Sequence, residues 1–282
     1  MTERHILNLG AGVQSSTLYL MSMEGKAPAI EAAIFADTQE EPEAVYRHLE
    51  WLKAQNGPPI LVATAGKLGD DLMRGENSTG HRFASIPAYT RNQDGSRGRT
   101  RRQCSSEYKV AVIGRTIRRE ILGLEPRKRV PKGVEIHQYF GISLDEKSRA
   151  TRIWERYHID GKSLGRPHFP LIDMTMTRAN CLDYLETRVP HPVPRSACVF
   201  CPFHTDLEWQ RLKDAGGADW DRLVRIDTAL RTEGVIVNRS MNSPMFLHAA
   251  LKPIAEIDFR PRDNPKEMQL GFGFECEGVC GV

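Results

Sequence analysis

The chain has 282 residues, of which 40% are hydrophobic and 7% aromatic, enough for one large domain or a domain with an appendage. Its formal net charge of +3 is too mild to select or exclude a nucleic-acid partner by itself. No apolar run is long enough to span a membrane and the Met-Thr-Glu-Arg start does not resemble a signal peptide, so a soluble cytoplasmic protein is expected, in which the six cysteines read as metal ligands or reactive thiols rather than disulfides.

His5 to Leu9 is an apolar run and predicts a strand. Gly10-Ala11-Gly12-Val13-Gln14-Ser15-Ser16 follows directly, and Thr17 to Met21 reads as a helix. Strand, Gly-rich turn and helix in this order make a phosphate-binding loop. The glycines let backbone N–H groups approach an anion, and the serines add hydroxyls at a helix N-terminus, whose dipole favours negative charge. Ala32 to Ala36 predicts a second strand, ending at Asp37-Thr38, where an acid can meet the ligand of a nucleotide-binding sheet. Glu43 to Gln55 carries Val45, Leu49 and Leu52 at helical spacing, Pro58-Pro59 stops it, and Ile60 to Ala63 predicts a third strand. This β-α-β-α-β alternation predicts an α/β fold with a parallel sheet of about five strands.

Asn77 to Arg102 is rich in Gly, Ser, Arg, Asn and Thr and reads as a long mobile loop. A basic helix is expected over Glu107–Leu122, a fourth strand over Gln138–Ile142, and a helix over 177–187 with Thr177 as its N-cap. Pro190 to Pro202 is irregular, Leu207–Lys213 and Trp220–Thr232 are helical, and the tail from Arg260 is loop-like. Between Arg91 and Arg119 stand nine basic residues with few acids, flanking Cys104. Such a run is either a solvated face or a surface for an anionic partner.

Five segments in order resemble the PP-loop ATP pyrophosphatase superfamily, in its phosphoadenosine-phosphosulfate (PAPS) reductase-like branch and with the DNA-phosphorothioation pyrophosphatases among its relatives. They are the Gly10–Ser16 loop, where the family has Ser-Gly-Gly-x-x-Ser; Phe35-Ala36-Asp37-Thr38-Gln39-Glu40-Glu41; Arg102-Gln103-Cys104-Ser105-Ser106-Glu107-Tyr108-Lys109-Val110; Gly141-Ile142-Ser143-Leu144-Asp145-Glu146-Lys147-Ser148-Arg149; and Phe169-Pro170-Leu171-Ile172 with Tyr184-Leu185. The resemblance implies a PP-loop domain of the adenine nucleotide alpha hydrolase-like type over residues 1–190, with a Cys-containing C-terminal extension over 191–282 packed on it. It also implies cleavage of ATP between the α and β phosphates, with Mg²⁺ neutralising the developing charge.

On this reading Gly10, Ala11, Gly12, Gln14, Ser15, Ser16, Asp37, Thr38 and Gly141 bind the nucleotide, and Ser15, Ser16, Asp37, Lys109 and Arg149 act in catalysis. Asp37 would hold the ribose or order the metal; a turn or N-cap role is its ordinary alternative. Lys109 and Arg149 would contact phosphate or acceptor, against simple surface solvation.

Cys198-Val199-Phe200-Cys201-Pro202 leaves three readings open. One is a 4Fe-4S cluster on Cys104, Cys198 and Cys201, completed by Cys280 or left open for sulfide. Another is structural zinc on Cys198, Cys201, Cys276 and Cys280, or with His204. The last is a redox dithiol. Cys181 reads as core. The expected function is an ATP pyrophosphatase that activates nucleic acid, DNA or tRNA, for sulfur incorporation, with a sulfur donor such as a cysteine desulfurase as partner. The alternatives are a PAPS or adenylyl-sulfate reductase and a non-catalytic nucleotide-binding partner with structural zinc.

Overall fold

The computed structural model describes residues 2–81, 83, 85–92, 94–158, 164–231 and 243–259. The tail expected to be loop-like, with Cys276 and Cys280, lies outside them, as does Thr232.

Five parallel strands organise the chain: β1 (Thr2–Leu9), β2 (Ala32–Asp37), β3 (Ile60–Thr64), a later strand Val134–Phe140 and a short edge strand Arg166–His168. Two strands of a hairpin, β4 (Tyr89–Arg91) and β5 (Arg97–Arg99), intervene in sequence, so these last two are β6 and β7. The sheet order is β3-β2-β1-β6-β7. The chain winds outward from β1 through β2 to β3, then returns to the other side of β1 with β6. The crevice between the C-terminal ends of β1 and β6 is therefore the topological switch point, where open α/β sheets receive ligands.

Side chains alternate across the sheet. Leu7, Leu9, Ala33, Phe35 and Tyr139 face one core, built with α1 (Val13–Met23), α2 (Glu43–Lys53) and α7 (Arg178–Glu186). Ile6, Ile34 and Ile136 face the other, against Val112, Ile113 and Ile117 of the helical run from 106 to 121. That run is an α-helix, α4 (Ala111–Thr116), with a π turn at each end, Ser106–Val110 and Ile117–Ile121. A separate core draws on both sides of position 190. It joins α3 (Leu68–Arg74), Phe83, Ile86, Ala88, Tyr108, Cys198 to Phe200, α8 (Asp206–Ala215), α9 (Gly217–Ala229) and residues from Met245 to Phe259.

The 77–102 segment corrects the sequence reading of a long loop. β4 and β5 pair antiparallel, and β4 also pairs β8 (Met245–Phe246), giving a three-stranded sheet. Helix α5 (Lys147–His158), the short α6 (Pro170–Asp173) and strand β7 are additions to the sequence reading. Strand β6 sits four residues earlier than expected at its start, which leaves Gly141 and Ile142 beyond its end. Thr177 caps α7 as expected, through a reciprocal capping box with Asn180.

Candidate functional site

The switch-point crevice is lined by the turn after β1 and the turn after β6. Helix α1 begins at Val13, so Gln14, Ser15 and Ser16 lie in its first turn rather than in the loop before it. Gly12 is the N-cap and supplies no side-chain cap, so the first amides of α1, on Gly12, Val13 and Gln14, have no acceptor within their own helix. Together with the helix dipole they are what the turn could offer an anion. Ala11, not a glycine, takes the left-handed conformation that aims this turn, at φ 57°; a non-glycine residue there stores strain, a pattern that clusters at ligand sites.

The two serine hydroxyls are used inside the protein. Gly10 N–H donates to Ser15 Oγ at 3.2 Å, and Ser15 Oγ reaches Gly12 O at 3.4 Å. Ser16 Oγ lies 2.8 Å from His48 Nε2, and His48 Nδ1 lies 3.0 Å from His191 Nε2. Burial, with the neighbouring His191, pushes the His48 imidazole down to about 4. His48 is thus neutral at neutral pH and can accept a hydrogen bond from the Ser16 hydroxyl. The serines shape the turn, and backbone amides are what it offers an anion.

Gly141 closes the crevice from the β6 side. A Cβ placed on it would lie 2.6 Å from both Ser15 Cα and Ser15 N and 2.8 Å from Gln14 C. Only glycine lets the β6 turn press against the backbone of the α1 N-terminus. Gln14 extends the junction: its Nε2 donates to Glu146 Oε2 at 2.8 Å and to Ser143 Oγ at 3.3 Å, while Arg178 Nη1 donates to Gln14 Oε1 at 2.9 Å. Arg149 Nη1 meets Glu146 Oε1 at 3.1 Å, both side chains buried. Arg149 therefore braces the crevice through Glu146. No sequence signal marked Arg178, and none paired Gln14 with Ser143, because these contacts join segments far apart in the chain.

Asp37 accepts from the Gln39 amide at 2.7 Å and from the Tyr46 hydroxyl at 2.9 Å, both through Oδ1, so it shapes the turn after β2. That turn then meets the cysteine segment. Thr38 Oγ1 lies 3.2 Å from Cys198 Sγ, and Val199 N–H donates to Glu40 O at 2.8 Å. Lys109, expected against phosphate, forms a buried ion pair with Glu41 at 3.0 Å, and Ser196 Oγ donates to the other Glu41 oxygen at 3.3 Å. Burial lifts the neighbouring Glu40 carboxyl to about 7, against the pull of Arg222, whose Nε lies 3.2 Å from it.

Cys104, Cys198 and Cys201 all belong to the same core, with no disulfide among the described cysteines. Among the described residues no group of three His, Cys, Asp or Glu side chains is arranged to hold a metal ion. Cys276 and Cys280, the tail ligands of both readings, lie outside the described residues. His204 Nε2 lies 3.1 Å from Cys198 O, its ring stacks on Trp209 at 4.6 Å, and burial pushes it down to about 4. It holds the Cys-x-x-Cys turn as a neutral hydrogen-bond donor. Cys181 is fully buried in the core, as its helical spacing indicated.

The basic run divides. Arg91, Arg97, Arg99 and Arg101 are exposed on or beside the hairpin, Lys109 is buried, and Arg115, Arg118 and Arg119 are exposed on the helical run. Arg99 stacks on Tyr89 at 4.8 Å and on Phe203 at 5.1 Å, and Arg102 on Phe203 at 4.9 Å. Among the described residues no helix is long and apolar enough to cross a membrane. No family model, curated protein or solved structure matches this chain.

Proposed function

We propose that the chain is a PP-loop ATP pyrophosphatase that activates an acceptor for sulfur incorporation into nucleic acid, as in DNA phosphorothioation or tRNA thiolation. The observation that carries this is the uncapped N-terminus of α1 at the switch point, held against the β6 turn by Gly141. The amides of Gly12 to Gln14 bind the β and γ phosphates. An acceptor oxygen attacks the α phosphorus, the bond to the bridging oxygen breaks, and pyrophosphate leaves with the electron pair, its charge held by those amides. Mg²⁺, when bound, neutralises charge on the phosphates; Asp37 is the residue that would hold it. The acceptor keeps AMP as an activating group, which sulfur from a donor such as a cysteine desulfurase then displaces.

Two features support sulfur chemistry on nucleic acid. Cys198 stands against Thr38 at the end of β2, on the edge that carries the nucleotide turn. The hairpin exposes arginines stacked on Tyr89 and Phe203, a surface suited to phosphates and unpaired bases. A 4Fe-4S cluster on Cys104, Cys198, Cys201 and Cys280 is part of the proposal, with zinc as its alternative; no step above is routed through it, and iron and zinc analysis of protein purified without oxygen decides between them.

The test is ATP turnover in the presence of DNA or tRNA. Release of pyrophosphate and AMP, lost in Ser15→Ala/Ser16→Ala, is the expected result. Nucleic-acid binding should weaken steeply with salt, and Arg99→Ala/Arg101→Ala/Arg102→Ala should flatten that slope by two to three ions. Sulfite release from a sulfonucleotide, without nucleic-acid binding, would replace this reading by the reductase.

A further inference from the structure

A cavity of about 400 Å³ lies on the α4 face of the sheet, between the helical run 106–121 and the end of α5. It is large enough for a small ligand, within the usual range of about 300 to 1,000 Å³. Its floor is unusual. On this face β1 and β6 present Ile6 and Ile136, but further along they present Asn8 and Gln138, both buried. Asn8 Nδ2 donates to Gln138 Oε1 at 3.1 Å and to Tyr139 O at 3.4 Å, which fixes the amide's orientation. Its Oδ1 is buried and accepts no hydrogen bond. A buried acceptor without a donor is costly, so on a cavity wall Asn8 Oδ1 offers a ligand a place to donate a hydrogen bond.

The opposite wall supplies the charge. Arg115 and Arg118 of the helical run and Arg156 of α5 line the cavity, and none of them forms an ion pair with another described residue. Guanidinium groups of one sign around a concave site select phosphate-bearing ligands. Gly114 stands between them, and a Cβ there would meet nothing within 4 Å, so the helix leaves room where any other residue would intrude. Ser106, Val110 and Arg118 of the two π turns also line the cavity, and π turns recur at functional sites. Ile113 and Tyr157 add apolar surface.

We propose that this cavity binds a phosphomonoester with hydroxyl donors, a sugar phosphate or mononucleotide, its phosphate on Arg115, Arg118 and Arg156 and a hydroxyl or amino group on Asn8 Oδ1. The site lies on the face of the sheet opposite α1 and does not depend on the pyrophosphatase reading.

Calorimetric titration of the full chain with ribose 5-phosphate and, separately, with AMP tests it. Saturable binding of both means the sugar phosphate suffices; binding of AMP alone means the base is read as well, and either result supports the site. Gly114→Leu should fill the cavity and abolish binding, and Arg115→Ala/Arg118→Ala should weaken it at least tenfold, with ATP affinity unchanged in both. Gly114→Leu replaces a poor helix former at an open position, so the fold should hold; if it does not, the surface arginine pair decides. Absence of saturable binding by either probe would overturn the proposal. So would binding that ignores these variants yet disappears in Ser15→Ala/Ser16→Ala, which would place the probe on the Gly10–Ser16 turn instead.

Discussion

Replacing Gly141 by alanine should damage the switch-point crevice, proposed above to hold ATP, through a single methyl group. The new Cβ would stand 2.6 Å from Ser15 Cα and Ser15 N, where ordinary contact begins near 3.4 Å, so the β6 turn and the α1 N-terminus must separate by about 0.8 Å. Both partners are backbone, and neither can rotate away. Their strands are also locked in register, Leu7 against Tyr139 and Asn8 against Phe140, which leaves little slack over the few residues between strand and turn. The φ of Gly141 is not in the left-handed region, so the effect is steric and not a loss of conformational freedom. Overpacking of this kind costs about 1–3 kcal/mol. Displacing the amides by most of an ångström costs ATP turnover on the order of 100-fold, since positioning errors near 1 Å carry that penalty. Urea unfolding at pH 7 would measure the first and pyrophosphate release the second. Wild-type stability together with wild-type turnover in Gly141→Ala would refute the argument that this close approach builds the site.

Lys109→Met should destabilise the fold by about 3–5 kcal/mol, because Glu41 would be left buried without its lysine, whereas Lys109→Met/Glu41→Leu should recover most of that loss in urea midpoints. A purely phosphate-contacting Lys109 would leave stability untouched and change only turnover. His48 is held near 4 in the fold against an ordinary value of 6.5, so the unfolded chain takes up its proton first as pH falls. The resulting stability is complete above pH 6.5 and is lost between 6.5 and 4, about 3 kcal/mol for His48, with His204 adding a like amount over the same window. Glu40, lifted to about 7, works in the opposite sense between 4.5 and 7, but cancels when variants are compared. His48→Gln should therefore remove about half of the histidine-dependent acid loss in unfolding curves taken from pH 7 to pH 4, and an unchanged pH profile would exclude the buried neutral imidazole.

The α/β class, the first three strands of the sheet and the position of the Gly-rich turn were readable from the residues alone. Apolar runs at 5–9, 32–36 and 60–63, separated by a turn and by the Val45, Leu49, Leu52 periodicity, are local signals that short-range sterics and burial enforce. Two further elements carry local signals that the sequence reading passed over. Ala150, Ile153 and Tyr157 carry the helical spacing of α5, and Asp94-Gly95 is the turn signal of the β4–β5 hairpin. Strand β7 carries none, because three residues containing a proline pair only at a sheet edge. Tertiary structure alone decided what the polar residues do. Lys109 meets Glu41, Arg149 meets Glu146, Ser16 meets His48, and Thr38 meets Cys198 across 160 positions. A charge or hydroxyl in a sequence carries no record of its partner. Once buried it must find one, and only the packing of distant segments determines which.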